Sequence, residues 1–116
     1  MEIRFYKKRN GDRPAYDFLM GLDDRLYIKA IGVMTLLEKK GHMLREPYSK
    51  KIDEHIFELR IIQGNDHAWI LYFYYDHAAY LTNGFIKKTN KTPVEELIRA
   101  RKYRLDHLSG RKEPKG

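Results

Sequence analysis

The stretch HIFELRIIQGNDHAWILYFYYDHAAYLTNGFI, residues 55–86, decides the fold of this chain. It contains three largely apolar segments separated by two short polar turns, a pattern that predicts an antiparallel meander of three strands. The expected strands are 55–62, 67–75 and 78–86. The middle segment is apolar or aromatic at nearly every position, which indicates a central strand buried on both faces.

The sequence before this meander predicts one more strand and two helices. Polar and apolar residues alternate over 2–6, as they do in a short strand. A proline at the start of 14–20 suits the first position of a short helix. A wide apolar stripe with helical spacing covers 24–40 and predicts a longer helix. Residues 42–54 show no clear period.

The sequence after the meander predicts a final helix that ends near Leu108. Thr92 can cap it, and Glu95 stands at capping-box spacing from Thr92. We therefore expect one α+β domain over 1–110, followed by a basic tail over 111–116. Its element order is β-α-α-β-β-β-α, a small twisted antiparallel sheet with helices packed on it.

The positive charge of the chain is concentrated near its C-terminus. The formal net charge is +7, and residues 86–116 hold ten Lys/Arg against four Asp/Glu. Residues 1–85 are nearly balanced, with thirteen bases and twelve acids. This asymmetry suggests contact with a polyanion or an acidic protein, although a solvated basic helix gives the same pattern.

Several function classes lack their sequence signatures here. The chain has no cysteine, and its five histidines lack metal-ligand spacing, so we expect neither a metal site nor a cofactor. The serines lack a nucleophile elbow, and no glycine-rich phosphate loop is present. No apolar run is long enough for a membrane span, and the first residues lack the apolar core of a secretory signal. We expect a cytoplasmic protein without a membrane partner.

Three groups of basic side chains accompany the expected strands and could converge on one side of the sheet. Lys50 and Lys51 precede the first meander strand, Arg60 lies within it, and Lys87 and Lys88 follow the last. If these groups converge, they can hold a phosphodiester and stabilise charge that develops on it. Solvated lysines and a simple surface ion pair of the strand arginine would give the same sequence pattern.

Three segments resemble the RelE/ParE toxin superfamily, in particular its HigB-like, phage-associated branch. They are KKIDEHIFELRI (50–61), WILYFYY (69–75) and NGFIKKTNKTPVEELIRARKYR (83–104). The family's version of the third reads Gly-Phe, one residue, Lys-Lys-Thr, then Thr-Pro and an acid-rich helix start. The resemblance covers nearly the whole chain in the same element order, and it implies a RelE-like fold.

The resemblance implies the toxin of a type II toxin–antitoxin system, which binds the ribosome and cleaves mRNA. Its partner would be a helix-turn-helix antitoxin, with which it forms a hetero-oligomer. In such chemistry the RNA 2′-hydroxyl attacks the adjacent phosphate without a metal. Arg60 would be the phosphate-stabilising cation, and Lys87 and Tyr72 would complete the catalytic group. The expected further RNA contacts are Lys50, Lys51, Lys88, Lys91 and Trp69.

Two positions depart from the family's pattern. Trp69 stands where members usually have Arg, and Asn83 stands where they often have His. Trp69 supplies no cation and Asn83 no general base; Trp69 either stacks on an RNA base or packs in the core. Two alternatives therefore stay open. One is a non-catalytic RNA- or ribosome-binding protein on this scaffold, and the other is a gyrase inhibitor, as in the ParE branch.

Overall fold

The structure is a computed structural model that describes residues 1–89 and 91–112. For residues 111 and 112 it describes only the backbone. It contains five strands and three α-helices within these ranges. In chain order they are β1 (Glu2–Phe5), α1 (Pro14–Met20), α2 (Asp24–Lys40), β2 (Ser49–Lys51), β3 (Phe57–Gln63), β4 (Asp66–Tyr75), β5 (Ala78–Ile86) and α3 (Val94–Lys112).

The five strands form one sheet in the order β1-β5-β4-β3-β2. The expected antiparallel meander β3-β4-β5 is confirmed, as is the α+β class. β1 runs parallel to β5, so the sheet is mixed and not wholly antiparallel. The chain between β1 and β5 contains α1, α2 and the other three strands, a long connection of the kind that parallel neighbours require.

The edge strand β2 was not expected from the sequence. It pairs antiparallel with β3, Ser49 opposite Leu59 and Lys51 opposite Phe57. Its three residues, Ser-Lys-Lys, carry no apolar alternation, so only the partner strand reveals it. A short, lysine-bearing edge strand also discourages pairing with a second chain.

Both faces of the sheet are covered by helices. On one face the stripe of α2 (Leu26, Ala30, Val33, Leu37) packs with α1 against Leu59, Ile61, Ile70, Tyr72 and Leu81. On the other face Ala100 of α3 packs with Ile56, Leu71, Phe73 and Tyr80. The central strand β4 is therefore buried on both sides, as its sequence predicted.

Local sequence signals explain the helix and turn boundaries. The Asp23 carboxylate caps α2 by accepting the Leu26 N–H at 2.9 Å. The turn between β4 and β5 consists of Asp76 and His77, both with positive φ, which fits the twist of a tight hairpin. Position 84 requires glycine, because a Cβ there would lie 2.2 Å from the Phe18 ring of α1.

The final helix continues four residues beyond its expected end at Leu108, to Lys112. Residues 111 and 112 of the expected basic tail therefore belong to this helix, and 113–116 lie outside the described residues. The Thr92 hydroxyl donates to the carboxylate of Glu58 on β3, so this side chain ties the start of α3 to the sheet.

In the part of the chain that the structure describes, no helix is long and apolar enough to cross a membrane.

Candidate functional site

Three neighbouring strands bring Arg60, His67, Trp69 and Lys87 together on the face that α3 partly covers. Arg60 of β3 pairs with Trp69 of β4, and Trp69 pairs with Phe85 of β5. The Lys87 N–H donates to the His67 carbonyl at 2.9 Å, which continues the β4–β5 ladder by one pair. Residues paired directly across strands point to the same face, as do residues two apart along one strand. We call this group the strand-end site.

Two cations of the site lie over one indole ring. The Arg60 guanidinium lies 5.4 Å and the Lys87 ammonium 4.8 Å from the centre of the Trp69 ring. Trp69 itself is buried and contacts Phe85 edge to face. Its burial favours the core-packing alternative over stacking on an RNA base. Because the electron-rich ring face attracts cations, Trp69 holds two positive groups where the family pattern has one arginine.

A buried carboxylate orients Arg60. Nε of Arg60 donates to Oε1 of Glu58 at 2.9 Å, and a terminal nitrogen of Arg60 forms an ion pair with the same oxygen at 2.8 Å. The Glu58 side chain is 2% exposed and that of Arg60 is 22% exposed. Thr92 donates to the second Glu58 oxygen at 2.7 Å. The carboxylate is thus satisfied on both oxygens, and the guanidinium is fixed at the surface end of a buried ion pair.

Asn83 has a structural role in docking α3 onto the sheet. Its amide nitrogen donates to the backbone carbonyl of Glu96 at 3.2 Å and to a carboxylate oxygen of Glu96 at 2.9 Å. Arg99 binds the same carboxylate. Asn83 is buried beneath the first turns of α3 and faces this contact.

His67 is a site residue that the sequence interpretation missed. It is half-buried, and its Nδ1 is buried without a hydrogen-bond partner among the residues that the structure describes. Histidine is the side chain most suited to proton transfer near neutral pH. Its position opposite Lys87 and two residues before Trp69 puts His67 on the same face of the sheet as the two cations, next to Lys87 in the register.

The lysine pair before β3 divides between the two faces of the sheet. Lys50 pairs with Glu58 and so lies on the face of the strand-end site, whereas Lys51 pairs with Phe57 on the opposite face. The Arg60 N–H donates to the Tyr48 carbonyl at 2.8 Å, which places Tyr48 opposite Arg60 in the register. Tyr48 is exposed, and it was not singled out from the sequence.

Tyr72 does not join the strand-end site. It points to the α2 face, is fully buried, and shares a hydrogen bond with the Ser49 hydroxyl. Burial raises the pKa of its phenol far above the ordinary value. The structure thus separates Tyr72 from Arg60 and Lys87, with which the sequence interpretation had grouped it.

Further basic residues follow β5. Lys88 and Lys91 are exposed in the segment that joins β5 to α3, adjacent to Lys87. The Thr89 hydroxyl donates to the Lys91 carbonyl at 3.1 Å within this segment. The strand-end site is therefore bordered by cations on the α3 side.

Within residues 1–89 and 91–112, no three His, Asp or Glu side chains cluster in a metal-binding arrangement.

The sequence matches the model of the family described as phage derived protein Gp49-like (DUF891) over residues 17–104. The match runs from α1 into α3 and includes every residue of the strand-end site. No curated protein matches the chain. The matched family is a RelE/toxin-like family, associated with the toxins of toxin–antitoxin systems. With three quarters of its length matched and a fold consistent with RelE-like proteins, the chain belongs to the Gp49-like family.

Proposed function

We propose that this chain is a toxin that cleaves mRNA on the ribosome and is controlled by an antitoxin. The observation that carries the proposal is the arrangement of Arg60 and Lys87 over Trp69, with His67 beside them. Two cations and one proton-transfer group at the open end of a sheet suit attack on a phosphodiester.

The reaction is an internal transesterification of RNA. The 2′-oxygen of a ribose attacks the adjacent phosphorus, the bond from phosphorus to the 5′-oxygen breaks, and a 2′,3′-cyclic phosphate and a 5′-hydroxyl result. His67 accepts the proton of the 2′-hydroxyl, and the Lys87 ammonium donates a proton to the leaving 5′-oxygen. Arg60 stabilises the charge that develops on the non-bridging oxygens.

Glu58 and Trp69 are positioning residues in this scheme. Glu58 fixes the guanidinium of Arg60 through a hydrogen bond and an ion pair, and Trp69 holds Arg60 and Lys87 on one surface. Preorganised charges stabilise a transition state better than mobile ones, because they need no reorientation during the reaction. The Trp69 departure from the family pattern is therefore compatible with catalysis.

Residues around the site supply RNA contacts. Lys50, Lys88 and Lys91 are exposed near it and bind backbone phosphates, while the exposed Tyr48 offers a stacking surface for a base. Lys51 lies on the other face and makes at most a peripheral contact. Because the proposed target is mRNA on the ribosome, we expect the activity in the cytoplasm.

A non-catalytic RNA- or ribosome-binding protein is the second candidate. The absence of a cation at Trp69 and of an imidazole at Asn83 favours it, whereas His67 favours catalysis. A gyrase inhibitor is a third candidate, and no contact in the described residues favours it over RNA binding.

Primer-extension mapping of cellular mRNA after brief induction tests the proposal. New 5′ ends within translated codons are expected for the native chain, and most of them are expected to be lost in an Arg60→Lys variant. Arrested translation with intact message would establish the non-catalytic candidate instead. DNA breaks with intact translation would establish gyrase inhibition.

A further inference from the structure

The outer side of α3 carries an apolar row that the rest of the described chain leaves uncovered. Val94, Ile98 and Leu105 are 68%, 55% and 60% exposed. At about 100° of rotation per residue they lie within about 40° of one another around the helix axis. Ala100, which packs on the sheet, lies on the far side of the helix. We call these three residues the α3 ridge.

A cavity runs beside this ridge. Its volume is about 580 Å³, and it lies between α3 and the segment that follows β1. Ile98 forms one wall, and the stacked rings of Tyr6 and Tyr103, 4.7 Å apart, form its aromatic part. Lys8 and Lys102 line the same cavity. The ridge thus adjoins a recess with an apolar part and with more basic than acidic side chains in its lining.

Charge around the ridge selects the kind of partner. The lining of the cavity includes four cationic side chains and two carboxylates: Lys8, Arg9, Arg99 and Lys102, against Glu95 and Asp106. The Asp106 carboxylate is already bound by the Tyr6 hydroxyl and by Arg9 at 3.1 Å. A ligand on this side of α3 therefore meets a basic surface. Aliphatic Val, Ile and Leu side chains offer no stacking face to a base, so this surface suits a protein better than RNA.

We infer that the α3 ridge and its cavity bind an acidic amphipathic helix of a partner protein. The apolar side of that helix lies along Val94, Ile98 and Leu105, and one of its side chains enters the cavity. Its acidic flanks face Lys8 and Lys102. Such a helix-in-groove contact reads apolar residues at three- and four-residue spacing.

This inference rests on the proposed function in one respect, namely that the partner is the antitoxin. The ridge is turned away from the sheet, whereas Arg60 and Lys87 lie on the sheet itself. We place the partner on the side of α3 that faces away from the sheet, where it inhibits by adding bulk and makes no contact with Arg60 or Lys87.

A synthetic acidic amphipathic peptide, about four helical turns long with leucines at helical spacing and glutamates on its flanks, tests the inference with the full chain. We expect saturable binding, with the methyl resonances of Val94, Ile98 and Leu105 shifted. Ile98→Asp should weaken binding about tenfold or more. Ile28→Asp is the matched control, since Ile28 is also exposed but lies on α2 across the sheet.

Three results would overturn the inference. The first is tighter binding of the same peptide with lysines in place of glutamates, and the second is peptide binding that Ile98→Asp leaves unchanged. The third is a shift of the ridge resonances on addition of phosphatidylglycerol vesicles or an RNA oligonucleotide but not of the acidic peptide. Failure of the proposed function gives a different result. If the proposed function is wrong, the native chain binds the peptide but does not cleave mRNA. If the inference is wrong, the native chain cleaves mRNA but does not bind the peptide.

Discussion

The guanidinium of Arg60 lies 2.8 Å from the carboxylate of Glu58, whose side chain is 2% exposed. This pair makes the usual alanine test of Arg60 ambiguous. Removing the cation leaves an uncompensated charge in the interior, and breaking a buried pair in this way costs about 3–5 kcal/mol. A loss of activity in Arg60→Ala would then report unfolding as readily as chemistry.

We expect Arg60→Lys to lose most mRNA cleavage while the free energy of unfolding stays within about 1 kcal/mol of the native value. A lysine still neutralises Glu58, but it lacks the planar fork that binds a phosphate through two nitrogens. Urea unfolding and a purified cleavage assay measure the two quantities. The matched variant Arg60→Ala should lose about 3 kcal/mol of stability. Full cleavage by a folded Arg60→Lys variant would remove Arg60 from the site.

His67→Asn should lower the cleavage rate by about two to four orders of magnitude, the usual contribution of general acid–base catalysis. Asparagine retains a polar side chain of similar size but cannot accept and release a proton. The control is His55→Asn, an exposed histidine before β3 at the opposite end of the sheet. Single-turnover cleavage of ribosome-bound mRNA is the measurement. Equal rates for both variants would contradict the role given to His67.

The sequence contained part of the information that places His67. The hairpin between β3 and β4 has a turn of two residues, between Gln63 and Asp66. This turn length fixes the pairing of Arg60 with Trp69 and so puts Tyr72 on the other face. The family resemblance implied a shared catalytic role for Tyr72 and Arg60, whereas this alternation puts the two side chains on opposite faces. His67, two residues before Trp69, follows from the same count.

The position of Lys87 could not be read from the sequence. The ladder between β4 and β5 shifts by one residue at Leu71/Tyr72, so that Thr82 has no partner strand residue and its hydroxyl donates to the Leu71 carbonyl. Without this bulge, Lys87 would point to the opposite face. Nothing in the run AAYLTNGFI marks the irregularity. The bulge therefore decides which lysine after β5 meets Trp69.

The C-terminal half of α3 is tied to the segment after β1 by an acid-sensitive contact. The Tyr6 hydroxyl and Arg9 bind Asp106, and these hydrogen bonds lower the pKa of its carboxyl below the ordinary value. A depressed carboxyl pKa contributes stability that is complete above the unfolded value and is lost as the pH falls through the folded one. We expect Asp106→Asn to be less stable at neutral pH and to show a shallower stability loss below about pH 4. Urea unfolding at a series of pH values checks this, and parallel profiles for the two proteins would contradict it.

Replacing Lys87 and Lys88 together with glutamine should weaken binding to RNA and to the ribosome and make it less dependent on salt. Each lysine that contacts a phosphate releases a counterion on binding, so losing two contacts should reduce the slope of log K against log salt by about 1.4 for single-stranded RNA. The control is Lys39→Gln with Lys40→Gln, the same change of charge at the end of α2, away from the strand-end site. Because both variants lower the net charge equally, a general electrostatic attraction would change both slopes alike. We expect the slope to fall only for the Lys87 and Lys88 variant. Equal slopes in the two variants would mean that these lysines act through net charge alone and do not contact the RNA backbone.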